Sequence, residues 1–149
     1  MNWAEFLSMG GRGSTKLALK YPDLFCSLFN QAGNVMHVSE QYDPANKSHY
    51  LGTDKANYIN NDPYLLLQKN FDQINGRLRI RIICGTADSE HIVTVRELHQ
   101  ALLKAGVPHQ YGEVEGVAHD QRKVIDLNRK DWFDFHVESL RLAAEKLAK

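Results

Sequence analysis

Apolar and polar residues are arranged along the chain in a pattern that predicts strands separated by helices. Short apolar runs at Trp3–Leu7, Leu24–Phe29 and Leu78–Cys84 predict buried strands, and His109–Val114 is a candidate fourth strand. The run at residues 78–84 is the clearest, because it is β-branched and alternates before becoming wholly apolar. Strands that alternate with helices predict an α/β fold with a mainly parallel sheet of about four strands.

Helical patterns occupy two segments in the first half of the chain. After a sharp turn at Ser8–Gly11, a helix runs to Tyr21 and stops at Pro22, because proline disfavours helical backbone in the residue before it. Asp62 and Pro63 then supply an N-cap side chain and a proline at the first helical position, and a helix is predicted over Tyr64–Ile74. Residues 37–61 between these helices are polar and lack a period, which predicts a long surface loop.

The second half of the chain carries two more helical segments. Thr94 and Glu97 have the spacing of a capping box, which predicts that a helix begins at Thr94 and ends at Gly106. One or two helices are predicted from about Gln121 to the C-terminus. Their apolar positions include Val124, Leu127, Trp132, Leu140 and Leu147.

Length and composition exclude several classes of protein. A chain of 149 residues predicts one domain over residues 1–149. Lysine plus arginine equals aspartate plus glutamate at 18 each, so nucleic acid is not an expected partner. There is no apolar run that could span a bilayer and no secretory signal pattern, so we expect a cytoplasmic protein with no membrane partner. Cys26 and Cys84 predict neither a disulfide framework nor a metal site, and Cys84 is expected to be buried.

Three residue types with catalytic potential follow the predicted strands. In a parallel sheet the carboxyl ends of the strands share one edge, where ligands bind. Ser8, Asp88 and His119 each come shortly after a strand, in the chain order serine, acid, histidine that α/β-hydrolases use. An imidazole can take the proton of a serine hydroxyl, and a carboxylate can fix the tautomer of that imidazole. The backbone N–H of Met9 would then face a developing oxyanion.

Five sequence landmarks strengthen this interpretation: SMGG, LALKYPDLF, NQAGN, CGTAD and GVAH, in that order. Together they resemble the C-terminal half of the esterase branch of the α/β-hydrolase family, which includes esterase-D-like and feruloyl-esterase-like enzymes. The resemblance implies that Ser8 is the nucleophile, Asp88 the acid and His119 the base. It also implies hydrolysis of short-chain or aryl carboxylic esters through an acyl-serine intermediate, with no metal and no organic cofactor.

The chain departs from the family pattern in two respects. The family has a small residue two positions before the serine, whereas this chain has Phe6, whose ring is expected to crowd the turn. The family also has several strands before this turn, and a loop among them supplies the second oxyanion N–H. Without those strands the first strand would have an exposed apolar edge, so we expect a homodimer or larger homo-oligomer that covers it.

Each candidate residue also has a plainer interpretation. Ser8 could be a helix N-cap, Asp88 a turn residue and His119 a loop residue. Arg12 could contact an anionic substrate or simply be solvated. Gln31 could line a pocket or serve only as a turn residue. The remaining expectations are surface or helix-face positions for His91, His99, His109 and His136, and core positions for Trp132 and Phe133.

Two other functions remain open at this point. A truncated hydrolase that keeps the fold without catalysis would act as a binding or assembly module. Alternatively, the chain would be one part of a split hydrolase that another polypeptide completes.

Overall fold

Four parallel strands form a single sheet in the computed structural model, which describes residues 2–148. The side chains of residues 5, 121, 125 and 127–130 are outside the description, and with them the predicted apolar position Leu127. The strands follow one another across the sheet in chain order. They are β1 (Asn2–Leu7), β2 (Phe25–Gln31), β3 (Arg79–Gly85) and β4 (His109–Val114).

Six α-helices and one short 3-10 helix connect and cover the strands within residues 2–148. The α-helices are α1 (Met9–Lys20), α2 (Lys55–Ile59), α3 (Pro63–Lys69), α4 (Phe71–Ile74), α5 (Ile92–Ala105) and α6 (Gln121–Leu147), and the 3-10 helix is Val38–Gln41. The C-terminal segment is thus a single helix. Across these described helices, none combines the length and the apolarity needed to span a bilayer.

Two predicted helix boundaries are wrong. The helix predicted over Tyr64–Ile74 is interrupted at Asn70, whose side-chain amide donates to the carbonyl of Leu19 over 2.7 Å while its backbone leaves the helical region. The helix predicted from Thr94 begins at Ile92 instead. The hydroxyl of Thr94 donates to the carbonyl of His91 rather than capping a helix end, so the capping box is not formed.

The long segment predicted as a surface loop is partly ordered and anchored to the core. Tyr58 of α2 is fully buried. Asp62, also fully buried, accepts hydrogen bonds from the backbone N–H and the hydroxyl of Ser39 at 2.8 and 2.7 Å. The same carboxylate caps α3 by accepting from the N–H groups of Tyr64 and Leu65, as the sequence predicted. This segment therefore holds a defined position beside α1 and α3.

The two faces of the sheet bury separate apolar clusters. Side chains alternate between faces along a strand, and the neighbours Leu28 and Phe29 accordingly belong to different clusters. Leu28 packs with residues of α1, α3 and α5. Phe29 packs with Val124 and Phe135 of α6. The sheet is thus covered on both faces, as expected for parallel strands.

The aromatic side chains of α6 depart in part from their predicted positions. Trp132 packs against the second cluster, as predicted, but Phe133 is 63% exposed, so its predicted core position is wrong. The helix turns Phe135 inward instead. His136, predicted at the surface, is buried, and its Nδ1 lies 2.8 Å from the hydroxyl of Ser27 on β2.

Candidate active site

Ser8 occupies the single-residue turn between β1 and α1. Its φ of 57° and ψ of −124° lie in a sparsely populated region, which costs a non-glycine residue about 1–3 kcal/mol. The N–H of Ser8 donates to the carbonyl of Gln31 over 2.9 Å, and its carbonyl accepts from the N–H of Arg12 over 3.0 Å. Its hydroxyl makes no capping hydrogen bond. The side chain therefore does not perform the capping that the plainer interpretation assigned to it.

Close approach between backbones holds this turn in place. A Cβ on Gly11 would lie 2.7 Å from the carbonyl oxygen of Phe6 and 3.0 Å from Cα of Gly33, so both contacts require glycine. The buried side chain of Asn30 joins the same elements. Its amide donates to the hydroxyl of Thr15 over 2.8 Å, and its Oδ1 accepts from the N–H of Gly33 over 2.7 Å. The strained backbone of Ser8 is thus fixed by its surroundings.

Phe6 does not crowd the turn, contrary to expectation. Its side chain is 69% exposed. A Cβ on Gly10 would lie 2.4 Å from the Cβ of Phe6, so the missing side chain at Gly10 leaves the room that the ring needs.

Asp88 and His119, which are 31 positions apart, meet at the carboxyl edge of the sheet. The Asp88 side chain is 2% exposed, whereas the His119 side chain is 34% exposed. Nδ1 of His119 lies 2.5 Å from Oδ2 of Asp88. An ionised carboxylate only accepts hydrogen bonds, so Nδ1 carries the proton in this pair. The neutral ring then presents the lone pair of Nε2, the form that a general base needs.

His91 is a second histidine on the same carboxylate, so its predicted surface role is wrong. Its Nδ1 lies 2.7 Å from Oδ1 of Asp88, and its side chain is only 13% exposed. The rings of His91 and His119 stack with centroids 4.2 Å apart and planes 13° apart. In the described part of the chain, Asp88, His91 and His119 are also the one group whose donor atoms lie close enough together to share a metal ion.

The two histidines outweigh the effect of burial on Asp88. Burial acts to raise the pKa of the carboxyl, because the charged form loses hydration. Hydrogen bonds and charge interactions with His91 and His119 lower it, and the net pKa of Asp88 lies below its ordinary value. The carboxylate is therefore ionised at neutral pH.

The loop that carries His119 packs tightly against the end of β3. A Cβ on Gly85 would lie 1.9 Å from the carbonyl oxygen of Val117, so this contact requires glycine. The N–H of Gly116, a glycine with φ of 68°, donates to the hydroxyl of Thr86 over 2.9 Å. The position of His119 thus depends on backbone contacts with the strand that precedes Asp88.

The structure brings two of the three predicted triad residues into contact. Ser8 lies at the carboxyl end of β1, at the same sheet edge as Asp88 and His119. In the described part of the chain the Ser8 hydroxyl makes no hydrogen bond, so a hydrogen bond between Ser8 and His119 is not part of this structure. Met9, the first residue of α1, is 84% exposed, and the first N–H groups of a helix have no partner within it.

The remaining predicted site residues lie near the Ser8 turn. Gln31 is buried, and its carbonyl supports the N–H of Ser8. Nη2 of Arg12 donates to the hydroxyl of Tyr50 over 2.6 Å. Both Arg12 and Tyr50 line a cavity of about 430 Å³ that Met9 also lines. The rest of its lining is Gly13, Lys16, Val38, Asn61 and Pro63.

The sequence of this chain matches a known protein family. A family model described as putative esterase matches residues 7–127, a range that includes Ser8, Asp88 and His119. The chain belongs to this esterase family. Among proteins with curated functions, none matches the sequence.

Solved structures share the fold of this esterase-family chain. An S-formylglutathione hydrolase from Agrobacterium tumefaciens is 26% identical with a TM-score of 0.66, and the match covers 89% of this chain and 47% of that one. Fluorophosphonate-binding serine hydrolase F from Staphylococcus aureus is 26% identical with a TM-score of 0.57, over 76% and 46% of the two chains. A ferulic acid esterase is 24% identical with a TM-score of 0.58, over 76% and 43%.

These matches confirm the predicted α/β-hydrolase fold. The chain spans less than half the length of each of these three structures.

Sequence reasoning missed two residues that shape the site of this esterase-family chain. His91 follows Asp88 by three positions inside one turn, and this D-x-x-H spacing is the signal that could have identified it. Asn30 had no such signal, because its partners Thr15 and Gly33 come from a helix and from the turn after β2.

Proposed function

We propose that this protein is a serine carboxylesterase that hydrolyses short-chain or aryl esters. Ser8 acts as the nucleophile, His119 as the general base and Asp88 as the acid that orients the imidazole. The N–H of Met9 donates to the oxyanion. Family membership supports an ester hydrolase in general terms, and the roles of these four residues are part of the proposal.

One observation carries the proposal: Ser8 holds a strained backbone while its hydroxyl is free of capping, at the sheet edge where Asp88 and His119 pair. A serine used only to begin a helix would adopt extended backbone and bind an N–H of the first turn. A sharp strand-to-helix turn that lifts the hydroxyl above the sheet is the arrangement that nucleophilic serines have in this fold.

The proposed reaction proceeds in two halves. Nε2 of His119 accepts the proton of the Ser8 hydroxyl as its oxygen attacks the ester carbonyl, and the resulting imidazolium gives that proton to the departing alcohol. Water then attacks the acyl-serine with the same histidine as base, which releases the acid and restores Ser8. The hydrogen bond between Ser8 and His119 forms when substrate binds, because catalytic hydrogen bonds often tighten only in the enzyme–substrate complex.

The cavity beside Met9 is the proposed substrate pocket. Arg12 and Lys16 give it two cationic side chains, and the bond from Arg12 to Tyr50 fixes the guanidinium at its wall. An ester whose acyl or alcohol part carries a negative charge would fit this lining. Gln31 contributes through its backbone, by supporting Ser8, rather than through the lining of this cavity.

Hydrolysis of p-nitrophenyl acetate by the purified chain tests the proposal. Ser8→Ala should reduce turnover to the background rate, because no nucleophile remains, whereas the exposed Ser48→Ala control should keep the wild-type rate. Equal rates for the wild type and Ser8→Ala would contradict the proposal, since the turnover would then come from other surface groups.

A second function is favoured by one specific observation. Trp3 and Phe6 of the edge strand β1 are 53% and 69% exposed, which is typical of a strand that pairs with another one. A binding or assembly module, or one part of a split hydrolase, would use this edge. Such a protein would show no turnover alone, and a split hydrolase would gain Ser8-dependent turnover when the completing polypeptide is added.

A further inference from the structure

His91 is a partly buried titratable group that the proposed reaction does not use. Orientation of His119 needs only one oxygen of Asp88, yet the second oxygen is occupied by another imidazole. His91 is therefore a fourth residue beside the three proposed for catalysis. Together, Asp88 and the two histidines carry side chains of the types that bind metal ions.

The three side chains bring their donor atoms close together. One donor atom from each of Asp88, His91 and His119 lies within 4.8 Å of the other two. The two rings are stacked, so both direct the same edge toward the carboxylate. Asp88 and His91 are almost closed off from solvent, while the His119 side is 34% exposed. An ion could enter from that side, and the stacked rings would rotate so that both Nδ1 atoms face it.

The donor set favours divalent transition-type metal ions, among them Zn²⁺, over hard cations. Two imidazole nitrogens and one carboxylate oxygen suit Zn²⁺, which binds such groups at about 2.0–2.2 Å and often keeps a water as its fourth ligand. Mg²⁺ and Ca²⁺ prefer sites made of oxygen atoms. Neither of the two cysteines belongs to this three-residue group, and Cys26 lies at the opposite end of β2 from the site.

We propose that Asp88, His91 and His119 form a reversible Zn²⁺ site and that its occupation inhibits ester hydrolysis. Zinc would take the lone pair of Nδ1 in both rings, so the proton of each neutral imidazole moves to Nε2. His119 would then present an N–H to Ser8 instead of a base. The inhibitory part rests on the proposed function, whereas the binding part does not.

Binding is measured directly by titrating the purified full chain with ZnCl₂ against a chromophoric chelator. We expect one site per chain, with affinity lowered in both His91→Ala and His119→Ala by more than the about 10- to 100-fold that loss of an outer-shell partner costs, because each variant removes a ligand. His109→Ala is the matched control, because His109 also contacts a second histidine, His99, but lies outside the three-residue group. Circular dichroism verifies that each variant is folded. Unchanged affinity in folded His91→Ala would overturn the site.

Inhibition is measured on p-nitrophenyl acetate hydrolysis, with each protein compared to its own rate in chelator. Zn²⁺ should inhibit the wild type at the concentration at which it binds, and His91→Ala, which lacks a ligand, should need more than about 100-fold more. Stoichiometric binding without inhibition would overturn the regulatory role. If Ser8→Ala turned over as fast as the wild type, the proposed function would fail while the chelator titration still decided the zinc site.

Discussion

Asp88 is a buried carboxylate with one histidine on each oxygen. Because it only accepts hydrogen bonds, it places the proton of His119 on Nδ1 and leaves Nε2 as a base. An amide at this position would offer an NH₂ group as well. That group would favour the opposite tautomer, with the proton on Nε2.

Asp88→Asn should therefore lower kcat by about 10⁴-fold while the fold is kept, because the imidazole is held in the wrong tautomer. Steady-state kinetics with p-nitrophenyl acetate measures the effect. Asp23→Asn serves as the control, since Asp23 is exposed and pairs only with Arg77 across the surface. A variant as fast as the wild type would show that Asp88 does not orient the base.

His91 shows where prediction of the site from the sequence fails. Ser8, Asp88 and His119 were recognisable because the order and the strand ends restrict them to one edge. His91 was assigned to the surface, since a histidine in a turn has no periodicity that reveals its direction. The pairing of His136 with Ser27 spans 109 positions, and no local pattern records such a contact.

At the scale of elements, β3 and β4 position the loops that carry Asp88 and His119. Both strands were predicted within one residue of their observed bounds, and for β3 the alternation of β-branched residues is a strong local signal. The break between α3 and α4 was not, because Asn70 leaves the helix to bind Leu19 of α1, 51 positions away. Tertiary contacts overrode the local preference there.

Gly85→Ala tests the contact between β3 and the His119 loop. The added Cβ would meet the carbonyl of Val117, so we expect a loss of about 1–3 kcal/mol in the free energy of unfolding and a fall in esterase activity as the loop shifts. Gly112→Ala on β4 is the matched control, because its nearest neighbour would be a side-chain carbon of Ile83 at 3.9 Å. Urea unfolding and kinetics provide the two readouts. Equal stability of both variants would contradict the tight contact.

An ion pair joins α5 to β4. Glu113 accepts from Nε and Nη2 of Arg96 at 2.8 and 2.7 Å and also from the hydroxyl of Tyr111. The hydrogen bond from Arg96 is the main cause that lowers the pKa of Glu113 from 4.5 to about 2. A folded-state pKa below the unfolded one stabilises the fold above the unfolded pKa, and this contribution is lost as pH falls toward the folded one.

Glu113→Gln should therefore destabilise the chain most at neutral pH, and the difference from the wild type should shrink as pH falls from about 5 toward about 2. Urea unfolding across that range measures it. The exposed Glu115→Gln is the control, which should differ little from the wild type throughout. A difference between Glu113→Gln and the wild type that stays constant with pH would contradict the role of the charged pair.

At the scale of the whole molecule, β1 is an edge strand whose outer side has no partner strand within residues 2–148. It pairs with β2 on one side only. Trp3, Phe6 and Met9 are exposed on or beside it. We propose, as the sequence led us to expect, that a second copy of the chain covers this edge and forms a homodimer or larger assembly.

Light scattering at micromolar concentration should give a native mass of at least two chains, because pairing buries the exposed aromatic side chains of the edge. Phe6→Lys should shift the protein toward the monomer, since a lysine on an edge strand opposes pairing. Phe133→Lys, at an equally exposed aromatic residue of α6, should leave the mass unchanged. A monomeric wild type would contradict the proposed assembly.

The central claim is that Ser8 is activated by His119, although the two residues follow β1 and β4, the outermost strands of the described sheet. Fluorophosphonate labelling of the native protein, followed by mass spectrometry of its peptides, tests this most directly. The account predicts one label on Ser8 that is lost in folded His119→Ala. Label on another residue, or equal labelling of Ser8 without the imidazole, would contradict it.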